Sequence, residues 1–223
     1  MLTIIIPALD AAEMLRETLV SINAGASRRE IIVVDGGSTD ATRQIATAAS
    51  AIVIDAPRGR GQQLAVGAMA ASGDWLLFLH ADTRLGAQWS EAVASFMANP
   101  GNQRRAGYFR FALEDAAPAA RRLEAAVHWR NRTLGLPYGD QGLLISRAFY
   151  DALGGYQRIP LMEDVNLARR IGGRRLVMLG AEALTSAERY RREGYLRRPL
   201  RNALCLALYS AGVPVRIIAG IYR

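Results

Sequence analysis

The chain contains no lysine. All 28 basic residues are therefore arginine, and against 20 acidic residues they leave a formal charge of +8. A phosphate-binding loop of the G-x-x-x-x-G-K-[ST] type cannot be written without lysine, so that route to nucleotide phosphates is excluded. Cysteine is nearly absent as well. A lone Cys205 forms no intramolecular disulfide and no cysteine-ligated metal cluster, which fits a reducing compartment and points to the cytoplasm. The turn after the first strand, "PALDAAE", has no glycine, so the G-x-G-x-x-G approach of backbone to a pyrophosphate is missing and a dinucleotide oxidoreductase is set aside. The nearest thing to a membrane span, "ALCLALYSAGV" at Ala203–Val213, stops at Pro214, short of the about 18 apolar residues required. The opening "MLTIIIPALD" has neither the basic leader nor the long apolar core of a signal peptide and reads as a first strand. Aromatic residues make up 7% of the chain and the arginines are scattered, so no stacking platform for nucleic acid is visible.

Half of the 223 residues are hydrophobic, enough for one well-buried core. Apolar runs alternate with helical spacing from the start. Leu2–Ile6, Glu30–Asp35, Ala51–Asp55 and "DWLLFLHAD" (74–82) read as strands; "AEMLRETLVSIN", "TDATRQIATAAS" and "RGQQLAVGAMAAS" read as the helices between them, the second opened by Ser38 and Thr39 as caps. Strands apolar on both faces with helical crossovers predict a parallel α/β sheet of nucleotide-binding type. Beyond Asp82 the pattern loosens. "AGYFRFAL" (106–113) alternates as a half-exposed strand, "AARRLEAAVHWRNRTL" is an Arg-rich helix, and "QGLLISRAFYDALGGY" is a short strand entering a helix that Gly154 and Gly155 close. "PLMEDVNLARRIGG" is a helix with Glu163 and Asp164 in its first turn. No repeat interrupts the chain. Residues 1–185 form one domain, with a nucleotide side at 1–83 and an acceptor side at 84–185, and residues 186–223 form a basic, then apolar, helical appendage.

Ligands of open α/β sheets sit beyond the carboxyl ends of the strands. The residues expected there are Pro7, Ala8 and Asp10 after the first strand, Asp35 and Gly36 after the second, Asp55, Arg58 and Arg60 after the third, and His80 and Asp82 after the fourth. In extended backbone His80 and Asp82 point the same way and present a nitrogen and an oxygen to one ion. A divalent cation held by one carboxylate, with phosphate oxygens and water filling its shell, is the arrangement expected of Mg²⁺ or Mn²⁺ at a diphosphate. Alternatively, His80 and Asp82 cap the strand and the turn after it. Glu163 and Asp164 either complement their helix dipole or face an apolar cavity, where a carboxylate with a like-charged neighbour has a raised proton affinity and suits a general base. Asp140 and Gln141 in "PYGDQG" grip an acceptor or form a plain turn. The tail "ERYRREGYLRRPLRNALCLALYSAG" reads as a surface helix on anionic lipid, as a dimer contact, or as a helix closing the core with Arg189 or Arg191 near phosphates.

These residues together resemble the family 2 glycosyltransferases of GT-A fold. "IIVVDGGSTDAT" is similar to their D-G-S-x-D-x-T segment, "PRGRGQQLAVGAMAASGDWLLFLHADT" to the stretch leading into D-x-D, and "MEDVNLARRI" to their E-D-x-x-L-x-x-R helix. "FLHADT", "YGDQGLLISRAFYDALGGY" and "TSAERYRREGYLR" resemble a bacterial subgroup described as arsenosugar-biosynthesis-like glycosyltransferases. The resemblance implies a mostly parallel GT-A sheet with a C-terminal helical appendage and a UDP-, GDP- or dTDP-sugar donor. It implies Asp35, with Gly36, at the base or ribose, Pro7, Ala8 and Asp10 lining that pocket, and Arg60 at the phosphates. Asp82 holds the metal, and Asp164 is the catalytic base beside Glu163. His80 stands where the family carries the first Asp of D-x-D. The Q-x-x-R-W motif of processive synthases is missing, so transfer of a single sugar is implied, to an acceptor the sequence does not identify. The competing readings are a sugar nucleotidyltransferase, whose Gly- and Lys-containing first loop this chain lacks, and a basic nucleic-acid-binding protein without catalysis. Cytoplasmic location, with peripheral contact at the inner membrane face through the tail, completes the expectation.

Overall fold

A strand with no polar face belongs in the middle of a sheet. Every residue of β1 (Leu2–Ala8) is buried, as are the last five of β2 (Arg29–Asp35) and all of β4 (Trp75–Phe78), while β3 (Ile52–Asp55) is exposed at both ends, only partly buried between them, and takes the edge. The computed structural model describes residues 1–25 and 28–222, the side chain of Arg189 excepted. Further along the chain come β5 (Thr83–Leu85), β6 (Ala106–Leu113), β7 (Leu143–Ser146) and β8 (Leu176–Thr185). Together the strands form one sheet in the order β3-β2-β1-β4-β7-β6-β8-β5. The half containing β3, β2, β1 and β4 is parallel throughout. β7 enters antiparallel to both β4 and β6, β6 pairs parallel with β8, and β5 closes the far edge antiparallel to β8.

Helices cover both faces. Ile4 and Ile6 of β1 point to one side, where α1 (Ala12–Asn23) brings Leu15, Leu19 and Ile22 and α4 (Trp89–Ala98) brings Trp89, Val93 and Phe96. Ile5 points to the other, where α3 (Arg60–Ala70) and α7 (Glu163–Ile171) bring Leu64, Leu167 and Ile171. α2 (Thr42–Ala48) follows β2, α5 (Pro118–Leu134) packs Leu123 and Val127 on β6, and α6 (Arg147–Ala152) follows β7. The last helices, α8 (Glu188–Glu193), α9 (Arg197–Ser210) and α10 (Val215–Tyr222), do not stand apart. Cys205 of α9 and Ile218 of α10 share a small core with Met162 and with Val165 and Ala168 of α7.

Two local readings are corrected. Ser38 and Thr39 do not cap α2, which begins at Thr42; their segment folds back on the end of β1, where the Asp10 N–H donates to Ser38 Oγ (2.9 Å) and the Thr39 N–H donates to Asp10 Oδ1 (2.8 Å). The fourth strand stops at Phe78 rather than at 82, and the chain turns, the Thr83 N–H donating to the His80 carbonyl at 3.3 Å. His80 and Asp82 thus flank a turn instead of sharing one face of a strand.

Register decides which loops meet. Phe78 pairs with Leu143, so the loop leading into antiparallel β7 arrives beside His80 and Asp82. Thr83 pairs with Thr185, which brings the end of β8 to the same rim. Gln63 of α3 ties the rim to the parallel half. Its buried Nε2 donates to the carbonyls of Ala8 (2.8 Å) and Val34 (2.7 Å). Replacing Gln63 with Leu keeps the volume and removes a donor from both carbonyls, of which Ala8 retains the Gly36 N–H, and is expected to lower unfolding free energy by roughly 1–3 kcal/mol in urea titrations.

Candidate active site

Two cavities open along this rim. The first runs from the end of β1, bordered by Pro7, Ala8 and Asp10, past Arg58 and Gly59 to Arg60 and Asp82. The second lies between the loop before β7, the start of α7 and the C-terminal helices, and includes Asp140, Asp164, Thr185 and Ser186. Arg60, His80, Asp82, Leu161, Glu163 and Tyr222 border both. Asp82 and Asp164, far apart in sequence, therefore face one connected cleft.

Asp35 lies outside it. Its buried carboxylate turns into its own loop, accepting from Ser38 Oγ (2.5 Å), from the N–H groups of Ser38 (3.1 Å) and Gly37 (3.2 Å), and from Arg43 (3.2 Å). Burial pushes the carboxyl up, but these hydrogen bonds outweigh it and hold it below the usual Asp range. Arg43 also pairs with Asp55, so both acids that end β2 and β3 share one guanidinium. Gly36 donates its N–H to Ala8 (2.9 Å) and has Gln63 against it, which fixes the loop rather than lining either cavity.

The start of α7 is built under strain. Met162, just before the helix, adopts φ 65° and ψ 19°, a left-handed conformation costing a side-chain-bearing residue about 1–2 kcal/mol. The turn directs Glu163 inward, where it is 2% exposed. Burial raises its proton affinity, opposed by Arg60 at 3.4 Å and assisted by the neighbouring Asp164. α3 approaches closely enough for this pairing because Gly61 has no side chain: a Cβ there would lie 2.5 Å from the Gln157 carbonyl. Asp164 Oδ1 accepts from the Val165 N–H (2.7 Å) and Oδ2 from the Gly139 N–H (3.0 Å).

Gly139 also bears on His80, whose Nε2 edge occupies the place a side chain on Gly139 would take. Gln141, expected on the acceptor side, is fully buried and faces neither cavity. It holds the loop, donating to the Phe109 carbonyl (3.1 Å) and accepting from Asn131 (3.0 Å). Its neighbour Asp140 does face the second cavity, with Oδ1 shielded from solvent and lacking a hydrogen-bond partner among the described residues. Burial pushes the Asp140 carboxyl up to about 6, with Arg130 opposing and Asp164 and Asp82 reinforcing the rise.

The tail supplies a wall that sequence reasoning missed. Arg191 pairs with Asp115 at 2.8 Å, away from the cleft, and the side chain of Arg189 lies outside the described residues. Tyr190, Arg198, Asn202 and Tyr222 face the second cavity instead. Their only advance signal is the tail's mixture of Arg, Tyr and apolar residues, which fits a surface helix equally well. Among the described residues no three His, Cys, Asp or Glu side chains converge to hold a metal ion by themselves. Asp82 at the junction of the cavities nonetheless suits a hard cation that takes one protein carboxylate and completes its shell from a diphosphate and water.

The family model for glycosyl transferase family 2 matches residues 3–138. The chain belongs to this family. Membership identifies it as a glycosyltransferase and selects that chemistry over nucleotidyl transfer and over nucleic-acid binding without catalysis. Solved structures agree on the GT-A fold. PcManGT, a mannosyltransferase from Pyrobaculum calidifontis in complex with GDP-Man and Mn²⁺, superposes with a TM-score of 0.68 at 18% identity, over 92% of this chain and 60% of that one. Residues 1–349 of S. aureus TarS give 0.64 at 14% identity, over 99% and 69%. Glucosyl-3-phosphoglycerate synthase from Mycobacterium tuberculosis, with Mn²⁺, UDP and glucosyl-3-phosphoglycerate, gives 0.62 at 18%, over 96% and 80%. No curated protein matches the chain significantly.

A carboxyl whose proton affinity is raised by folding stabilises the fold while protonated and ceases to do so as pH climbs through about 6. Asp140→Asn, which cannot ionise, is expected to exceed the wild type in stability at pH 8 by up to about 3 kcal/mol, and to match it at pH 4, in metal-free thermal or urea unfolding.

Proposed function

We propose that this family 2 glycosyltransferase moves a single sugar from a UDP-, GDP- or dTDP-sugar to an acceptor hydroxyl with inversion at the anomeric carbon, using Mg²⁺ or Mn²⁺. The observation that carries the reading is the placement of Asp82, Arg60 and Glu163 at the junction of two cavities, with Asp164 in the second. The first cavity lies beyond the carboxyl end of β1, where an open α/β sheet binds its nucleotide. The fold neighbours' complexes with GDP-Man or UDP and Mn²⁺ support such a donor. Pro7, Ala8 and Asp10 border the donor, and Asp35 with Gly36 shapes the loop beside it from behind.

In the reaction, Asp164 takes the proton of the acceptor hydroxyl while that oxygen attacks the anomeric carbon from the face opposite the nucleotide. The bond to the diphosphate oxygen breaks, and the diphosphate leaves with the electron pair. Arg60 places positive charge beside it. Asp82 would hold the cation, which supplies Lewis-acid stabilisation of the departing oxygens. His80, pressed on Gly139, positions the loop opposite. Two backbone N–H groups fix Asp164, so its basic lone pairs are oriented before substrate arrives.

Segments such as "FLHADT" and "YGDQG" support the arsenosugar-biosynthesis-like subgroup, and the single cysteine supports the cytoplasm. We read residues 1–185 as the transferase domain and the tail from 186 as its completing wall, which also carries an outward apolar strip. Leu196, Leu200 and Leu204 recur one helical turn apart and are 76%, 63% and 50% exposed. Arg197 stands exposed beside them, and Ile217 and Ile221 of α10 are exposed as well. No described helix is long and apolar enough to cross a membrane, but this strip suits the headgroup region of an anionic inner leaflet.

Asp164→Asn is expected to lower kcat by about 10²- to 10⁴-fold while nucleoside diphosphate binding survives. Steady-state kinetics with calorimetric binding checks this, and retained turnover reassigns the base to Glu163 or Asp140. For the tail, flotation with vesicles containing anionic lipid is expected to carry the wild type upward at low salt. Replacing Leu196, Leu200 and Leu204 with Ser is expected to leave it at the bottom.

A further inference from the structure

The second cavity shows what kind of molecule it is built for. Its floor is the loop at 138–140 and the start of α7, and its opposite wall is Tyr190, Arg198, Asn202 and Tyr222. Three polar atoms of this lining are shielded from solvent and have no hydrogen-bond partner among the described residues: Asp140 Oδ1, Arg198 Nε and Asn202 Oδ1. A buried polar atom without a partner costs about 1–3 kcal/mol, so three around one cavity mark a surface complementary to something absent from the protein itself. Two of the three accept hydrogen bonds and one donates. Hydroxyl groups, which do both, satisfy such a mixture.

Charge narrows the class further. The lining carries four carboxylates, Asp82, Asp140, Glu163 and Asp164, against two guanidinium groups, Arg60 and Arg198. The acidic excess of the lining itself, rather than the pairing of Arg198 with Glu193 at 3.1 Å, weighs against a phosphate or carboxylate ligand. The wall is also aromatic. Tyr190 is braced by Tyr195, stacked at 5.9 Å, and Tyr138 lies under Arg130 at 3.5 Å, so these rings are held as rigid faces. Fixed aromatic rings set among single hydrogen-bonding atoms match a ring with C–H groups on its faces and hydroxyls at its edge.

We propose that the wall contributed by the C-terminal helices is the acceptor subsite and takes a neutral polyhydroxylated ligand, a sugar ring or cyclic polyol. This rests on the reading of the first cavity as the donor side.

The test is binding of defined probes to the full chain by saturation-transfer NMR: methyl glycosides of glucose, galactose, mannose and N-acetylglucosamine, with inositol, and phosphoglyceric acid as the anionic comparison. At least one neutral ring is expected to take up saturation. Asn202→Leu, which removes one acceptor atom, is expected to weaken it about tenfold, the size of one lost hydrogen bond. Tyr190→Leu serves as a second variant, and thermal melting confirms that each is folded. No saturation of any neutral probe, an unchanged affinity in both folded variants, or preference for phosphoglyceric acid overturns the proposal. Thermal shifts of the wild type by UDP, GDP and dTDP with Mn²⁺ report separately on the donor reading. Nucleotide binding without glycoside binding defeats the acceptor assignment alone, and glycoside binding without nucleotide binding defeats the donor assignment.

Discussion

The Gly139 backbone is where the two halves of the molecule are pinned together. Its N–H holds Asp164 at the start of α7, and its α-carbon lies against His80 at the end of the parallel half. Asp140 follows directly. A Cβ at residue 139 would take the place of the imidazole, so a side chain there displaces His80. One residue thus bears on the positions of Asp164, His80 and Asp140 at once. The buried Gln141 anchors the surrounding loop to β6 and α5 through its bonds to the Phe109 carbonyl and Asn131.

Local pattern carried the reading of the parallel half. β1 to β4 and their helices follow from apolar runs and spacing, because strands buried in a parallel sheet and the helical crossovers between them each carry their own local pattern. It carried Glu163 and Asp164 too, since a helix start is a local event. What escaped depends on distant pairing. β5, α4 and β8 went unread: β5 is three residues long, and β8 contains Gly180 and alternates weakly. The antiparallel insertion of β7 between β4 and β6, which brings Asp140 to Asp82, has no signature in either segment. Asp35 shows what a local reading leaves out. An acid at the end of β2 has a ligand-binding position, but Ser38 and Arg43 reach it first.

The arginine excess has a structural use that its total charge conceals. Arg147 donates to the carbonyls of Gly73 (2.9 Å), Ala68 (3.1 Å) and Ala71 (2.5 Å), ending α3 and holding the turn before β4. Arg170 donates to Leu153 (2.5 Å) and Gly155 (2.7 Å). A guanidinium presents several donors in a fixed fork, so one side chain satisfies two or three carbonyls where an ammonium would bind as a point charge. A protein of charge +8 can therefore contain a cleft whose lining is richer in acids than in bases.

Tyr222 borders both cavities from the last described turn of α10. Because one phenol ring belongs to both linings, the two cavities meet at it, and any replacement of Tyr222 reshapes the wall of both at once.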